Sequence, residues 1–528
     1  MMKRKIKMKH WRNFALAAAL AMTSVETAQA ESVLKIRDSG DIVQIDPLFS
    51  TAYPARDMAY LIWDTLFSMD GDLVPQPQMV GDYSISDDKL VYEFKLRDAQ
   101  VFHDGAPVTS VDVIASINRW FKKDSLGGEI QKRLASLEAI NENSFRITLT
   151  EPFGQVLNGL GRMTAYPLFI MPERIANTPI GELTEWVGSG PFQLVEDEWI
   201  PGVKFVVEKN DAYVPRTEAA NNLAGGKTPG VDRIERIVFP DNVSAANALI
   251  AGEIDYMSAA PTEFFSLMAD AGIVTKQLPL PGASVQIVLN HTIPPFDNIK
   301  IRQAFQYAIN QTEILTALYG DADVWQTCPA IFMCGSPYET DVNSERYMNQ
   351  DFDKARALLE EAGYDGTEVA YMHPTNGRLW NEGGTVIIAA LREAGFNVRD
   401  DIMESSTLFS RRNNKGPVSE GGWNAFHTAF NGDAMQDPLT NPYVTGACED
   451  AFVGWPCDDQ LQANWQEFLA ASSAEERKAA SVKIQDRANE IVTFITGGQF
   501  GYTSAWSPKV SGVVEGNVLV YWNITKED

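Results

Sequence analysis

From Asp241 onward the chain repeats one local pattern: a polar cap, a run with helical spacing, a glycine, then a short extended stretch. Asp241 leads into Val243 to Ile250, Gly252 ends that helix, and Glu253 to Met257 resumes as a strand. Asp351 to Ala362 reads as helix with Gly363 beyond it, Glu368 to Met372 as strand, Thr385 to Ala394 as helix with Gly395, and Phe396 to Met403 as strand. Glycine takes the left-handed conformation that closes a helix, so each of these glycines marks a change of period. Such alternation argues for βαβ units on a largely parallel sheet, since parallel neighbours need a crossover between them. The chain is therefore read as α/β.

The preceding part has a different texture. Lys89 to Leu96 (KLVYEFKL) alternates apolar and polar residues at period two, the mark of a half-buried strand. Asp104-Gly105 makes a turn, and from Ser110 or Asp112 the residues Val113, Ile114, Ile117, Trp120 and Phe121 fall at helical spacing. Residues 139–149 suggest a hairpin arm and 203–208 a strand, so this part is expected to hold small α+β units. Asp458 to Ile495 reads as two helices, the second opened by a Ser473/Glu476 capping box. Residues 215–230, rich in Asn, Ala, Gly and Thr, read as a linker. A length of 528 residues suits about three domains.

Residues 1–30 stand apart. Lys3, Arg4, Lys5, Lys7, Lys9 and Arg12 precede an apolar run from Phe14 to Met22 and then Ala28-Gln29-Ala30, the layout of a secretory signal with cleavage after Ala30. The run is too short to span a bilayer. The formal net charge is −26, and removing this basic segment makes the remainder more acidic still. So negative a field repels phosphate backbones and anionic headgroups, which argues against nucleic-acid and membrane-surface partners. Export to an oxidising compartment makes bridges the natural state of Cys328, Cys334, Cys448 and Cys457. Of the three pairings, 328–334 and 448–457 close the shortest loops. Zinc is disfavoured, because neither pair has CxxC spacing and no histidine lies close by in sequence.

Reactive constellations do not emerge. His103, His291, His373 and His427 form no HExxH or HxH arrangement, and a GxSxG elbow is missing. Gly225-Gly226-Lys227-Thr228 lacks the earlier glycine that a phosphate loop requires, and is expected to be a surface loop. Bridged cysteines leave no thiol nucleophile. A large exported α/β chain without such groups points to binding rather than turnover, with no metal and no cofactor expected.

Residues 85–120, ISDDKLVYEFKLRDAQVFHDGAPVTSVDVIASINRW, resemble the signature of the family 5 solute-binding proteins, the dipeptide-, oligopeptide- and nickel-binding components of ABC importers. Ser86, Asp88, Tyr92, Phe94, Leu96, Arg97, Phe102, His103, Asp104, Gly105, Asp112 and Val113 fit it in order. Gly188-Ser189-Gly190-Pro191-Phe192, Leu249 to Asp255, Pro294-Pro295-Phe296-Asp297 and Ile301 to Asn310 extend the resemblance to about residues 32–525. It implies a type II periplasmic-binding-protein fold of cluster C, two hinged lobes with an extra α+β domain. By analogy the first lobe combines 31–75, 190–290 and 490–528, the extra domain spans 76–189, and the second lobe spans 291–489. His103-Asp104-Gly105 is then expected to be a packed turn.

The resemblance further implies a monomeric periplasmic receptor that captures a short peptide or peptide-like solute between closing lobes and delivers it to ABC permease subunits in the inner membrane. An opine, an oligosaccharide or a nickel chelate is the alternative cargo. An exported hydrolase or a peptide-holding chaperone is the rival of another class. Peptide members similar to this chain hold the ligand ammonium with an aspartate in a W-x-x-D-like segment, which matches Phe430 to Asp433 here, Phe430 standing in place of the Trp. Asp433 is thus the expected amine site, since a buried ammonium needs a charge partner. Arg378, on a loop expected to face the cleft, is the candidate for a ligand carboxylate through its two-pronged guanidinium. Tyr53 is expected to contribute from the first lobe, and Trp423 and His427 to line the cleft as an apolar wall. Asp437, before Pro438, reads as a turn or cap residue.

Overall fold

The computed structural model describes residues 31–528 except 39–41, 43, 50–52, 165, 278–281, 321–323, 376–377, 502, 515–517 and 528. The expected signal segment and its cleavage point after Ala30 lie outside the described residues.

Two mixed sheets organise the chain. The first runs, in spatial order, Val274–Gln277, Thr503–Trp506, Tyr256–Ser258, Val33–Arg37, Arg233–Ile237, Lys204–Lys209 and Phe192–Leu194. The second runs Trp325–Gln326, Ile495–Phe500, Ala283–Leu289, Ala425–Asn431, Val369–Pro374 and Val398–Met403. Each sheet holds only two parallel pairs: Val33–Arg37 with both its neighbours in the middle of the first sheet, and Val369–Pro374 with both its neighbours at one edge of the second. This corrects the expectation of a largely parallel sheet. Lys204–Lys209 follows Phe192–Leu194 through a short connection, which forces an antiparallel pair, and the remaining strands enter from the opposite end. Helices cover both faces of the second sheet, so Ala283–Leu289 and Val369–Pro374 are buried along their whole length.

The caps behave as their residue types require. Asp241 and Asp351 accept from the backbone N–H of Ser244 and Lys354, and Ser473 with Glu476 completes its capping box. The helix read as starting at Thr385 begins earlier, spanning Arg378–Glu393.

The chain passes between the sheets twice, and the two passages run side by side. Gln277 is in register with Thr503 in the first sheet, and Ala283 with Phe500 in the second. Strands Ala283–Leu289 and Ile495–Phe500 therefore belong to the second sheet, although boundaries at 290 and 490 would assign them to the first lobe. Backbone pairing, not sequence proximity, sets the division. Both crossings therefore sit at one edge of the junction, between the Gln277–Thr503 and Ala283–Phe500 pairs, and bending there is the easy motion.

A third sheet, antiparallel in the order Val80–Ile85, Val91–Leu96, Ser144–Leu149 and Leu134–Asn141, forms the extra unit with helix Ser110–Phe121. The period-two pattern turns Tyr92, Phe94 and Leu96 inward, where Phe94 stacks on Phe145 at 4.9 Å between ring centroids. The two signature segments meet here. His103 Nδ1 accepts from the Gly188 N–H at 3.1 Å and Nε2 donates to the Gly190 carbonyl at 3.3 Å, so the ring is neutral, and burial lowers its pKa to about 4. Gly188 has no room for a side chain: a Cβ there would lie 2.0 Å from the Ile62 carbonyl oxygen.

Residues 222–227 are buried rather than a surface linker. Lys227 is fully buried, its ammonium 2.7 Å from Asp64 Oδ1 and 5.0 Å from the Trp522 ring centroid. A buried lysine persists only with such a partner, and GGKT is therefore a core contact of the first lobe instead of the expected surface loop. Both expected disulfides are formed, Cys328–Cys334 and Cys448–Cys457. The second closes the loop bearing Trp455 over Trp423, with ring centroids 5.8 Å apart.

Backbone crowding at Gly188 and mere left-handedness at Gly105 (φ 83°, nothing within 4 Å) make a controlled pair. Gly105→Ala is expected to cost about 1 kcal/mol and Gly188→Ala more than about 3 kcal/mol, read by urea denaturation. Equal losses would refute the steric account.

Candidate functional site

Helix Tyr53–Ile62 (YPARDMAYLI) packs on the first sheet and places two charged residues, Arg56 and Asp57, inside an otherwise apolar stretch. Both are about 95% buried. Across the junction, strand Ala425–Asn431 ends where the Gly432 N–H donates to the Gly282 carbonyl, and the next short turn of helix presents Asp433, fully buried. Arg56 Nη1 donates to Asp433 Oδ2. Its Nε and Nη2 both donate to Asp57 Oδ1, at 2.9 and 2.8 Å. The Tyr53 ring lies 4.7 Å from the guanidinium carbon and fixes its plane. One cation thus bridges a carboxylate of its own helix and one from the other lobe.

Burial disfavours the Arg56 charge, but the two carboxylates outweigh it and the guanidinium holds its proton more tightly than usual. Burial pushes the Asp57 carboxyl up to about 7, with Arg56 opposing the rise and Asp38 and Asp433 adding to it. Asp433 Oδ1 is buried and has no hydrogen-bond partner among the described residues. A buried carboxylate oxygen without a donor is costly and asks for one.

Beside the two connectors lies a cavity of about 270 Å³ between the lobes. Ala260 and Glu263 of the first lobe and Tyr319, Leu379 and Phe500 of the second line it. Phe500 lies in register with Ala283, which lies in register with Asn431. The strand that leads to Asp433 and the strand that supplies Phe500 are hence two strand spacings apart, roughly 10 Å.

The other expected site residues divide. Phe430 is part-buried against Tyr443 and Phe452, a second-lobe packing role beside the Asp433 turn. Trp423 does not line a cleft: it is fully buried, stacked edge-on to Phe426, with Nε1 donating to the Arg412 carbonyl. His427 is sealed as well, because strand alternation turns it under helix Arg378–Glu393. Its Nε2 donates to the Leu379 carbonyl at 3.1 Å, Nδ1 accepts from the Tyr371 hydroxyl at 3.0 Å, and burial lowers its pKa to about 4. Both are core residues, a correction to the apolar-wall reading. Arg378 opens that helix, and its side chain lies outside the described residues. Asp437 accepts from the N–H groups of Leu439 and Thr440 and shapes a turn. Arg56 and Asp57 escaped the sequence reading, although a charged pair inside an apolar helix is a signal of its own, since charges enter cores only with partners.

The model of the bacterial extracellular solute-binding proteins, family 5 middle, matches residues 74–451. The chain belongs to this family. As a family 5 protein it is a solute-binding receptor of an ABC importer, and among the described residues no helix is long and apolar enough to cross a membrane. Over 522 residues it is 32% identical to the "Probable peptide ABC transporter periplasmic-binding protein y4tO" of Sinorhizobium fredii (strain NBRC 101917 / NGR234), with 97% of each chain covered. The oligopeptide-binding protein AppA of Bacillus subtilis, solved with a nonapeptide, superposes with a TM-score of 0.76 at 19% identity, covering 95% of this chain and all of AppA. The PBP AgaA of A.tumefacien R10, solved with agropinic acid, gives a TM-score of 0.76 at 22% identity over 94% of this chain and 99% of AgaA. At such identities the likeness shows the type II two-lobed fold.

The second-lobe core carries a pH signature through His427. An unfolded imidazole takes its proton near 6.5 and the folded one only near 4, so this contribution to stability is lost as pH falls through that window. The unfolding free energy lost between pH 7 and 4.5 should be smaller in His427→Gln than in the wild type by about 2 kcal/mol. Equal losses would contradict a neutral buried ring.

Proposed function

We propose that this receptor is exported after cleavage behind Ala30, works as a monomer without catalysis, and captures short peptides or related amine-bearing solutes for its permease. The observation that carries this is Asp433: a fully buried carboxylate at the lobe junction with one oxygen bonded to Arg56 and the other, Oδ1, awaiting a donor. A peptide α-ammonium fits that oxygen, and the bond is charge-assisted in a site that excludes water. The cavity beside Phe500 and Tyr319 gives room for an apolar side chain roughly 10 Å away, a span of about three extended residues. The 32% identity to a protein named for peptide transport supports the same cargo class.

A second reading follows from Arg56. A cation at the junction also suits a carboxylate-bearing amino-acid conjugate, and the neighbour AgaA was solved with agropinic acid. A calorimetric panel of di-, tri- and tetra-alanine, their N-acetyl forms and an opine separates the two. Free-amine peptides should bind, with acetylation or Asp433→Asn weakening them by more than tenfold. Preference for the opine, or indifference to acetylation, would reject the peptide reading.

A further inference from the structure

The charges around Asp433 support a further inference, which rests on the reading that the cargo brings an ammonium to this oxygen. Arg56 is one positive charge between two carboxylates, Asp57 and Asp433, all at least 95% buried. A third carboxylate, Asp38, follows strand Val33–Arg37, accepts from the Ser258 hydroxyl and stands 3.9 Å from Arg236 Nε, with Arg37 beside it in sequence. Tyr53 and Tyr60 on the same helix, Tyr256 on the neighbouring strand and Tyr521 of the C-terminal segment complete the ionisable surroundings of Asp57. Each tyrosine is held in its neutral form by burial. Arg236 and the half-buried Arg37, which donates to the Ser258 carbonyl and to Asn242, stand by Asp38, whereas the buried Arg56 sets one positive charge against the two carboxylates it bonds.

An unbalanced charge in such a place is removed either by a counter-ion or by a proton. Asp57 offers a seat for that proton: it shares the guanidinium with Asp433, faces Asp38 and Asp433 as like charges, and is pushed up to about 7, chiefly by burial. We propose that capture is an exchange, in which the cargo ammonium docking on Asp433 Oδ1 takes the place of a proton carried by Asp57. The O–H bond of the Asp57 carboxyl breaks, its proton leaves to the buffer, and the site keeps the same total charge before and after. Receptor closure on a cationic solute therefore releases acid, and closure on a solute without that cation does not.

Calorimetry on the full exported chain tests this. The tightest-binding of the three alanine peptides is titrated at pH 6 in buffers of different ionisation enthalpy, where its own amine is fully protonated and releases nothing. The slope of heat against buffer enthalpy should give release of close to one proton per peptide. Affinity should strengthen towards pH 7, by up to about tenfold per unit below it. Asp57→Asn should abolish the release and flatten the profile. Binding by the wild type without proton release, or release that survives Asp57→Asn, overturns the exchange and leaves the peptide reading standing. If no peptide binds, that reading falls and the exchange with it. Should Asp57→Asn fail to fold, the wild-type buffer series alone decides.

Discussion

The Arg56–Asp433 pair spans two bodies that the chain joins only through two short connectors, and its physics governs the molecule. In water the attraction between these charges is weak, and holding them together gains little. Buried at the junction they attract strongly, but each has lost its hydration, so the pair is stable only in good geometry and with its remaining atoms satisfied. Geometry is supplied by the Tyr53 ring beneath the guanidinium and by Asp57 at its other edge. Satisfaction is incomplete, because Asp433 Oδ1 is left over. A receptor needs a closed form that its own residues nearly, but not wholly, stabilise, so that the missing contact falls to the cargo.

The scaffold around this pair is correspondingly stiff. The Gln277–Thr503 pair of the first sheet and the Ala283–Phe500 pair of the second bracket both crossings, so the two crossings act together as one strap. The extra unit leans on the second lobe as well as the first: Gln155 donates to the Phe468 carbonyl, and Gly154 abuts the Ala471 carbonyl. Bending at the strap must therefore part the Gln155–Phe468 contact. Residues remote from the junction serve to keep each half rigid, His103 by clasping Gly188 and Gly190, and Lys227 by anchoring Asp64 under Trp522.

Much of this was legible in the sequence. Local rules wrote the caps at Asp241, Asp351 and Ser473 and the inward face of Tyr92, Phe94 and Leu96, and the resemblance supplied the two-lobed plan and pointed to Asp433. What escaped was long-range. Whether Ala283–Leu289 pairs in one sheet or the other depends on partners far along the chain, and a run buried on both faces has no periodicity to declare its side. Trp423 and His427 looked like site residues because they precede Asp433, yet Trp423 packs between Phe426 and Trp455 and His427 lies beneath helix Arg378–Glu393. Arg56 reaches a carboxylate 377 positions away, a pairing no local pattern announces. Lys227 was read as solvent-exposed because glycine neighbours suggest a loop, whereas a buried carboxylate and aromatic faces made its burial tolerable.

Cargo-driven closure about the strap is most directly measured as a distance between spin labels on opposite lobes. Val243 of the first lobe and Ile402 of the second are both more than half exposed and suit labelling through cysteine substitution. Saturation with a binding peptide should gather a broad distribution into a narrow one at shorter distance. A distribution that is the same with and without bound peptide would contradict the account.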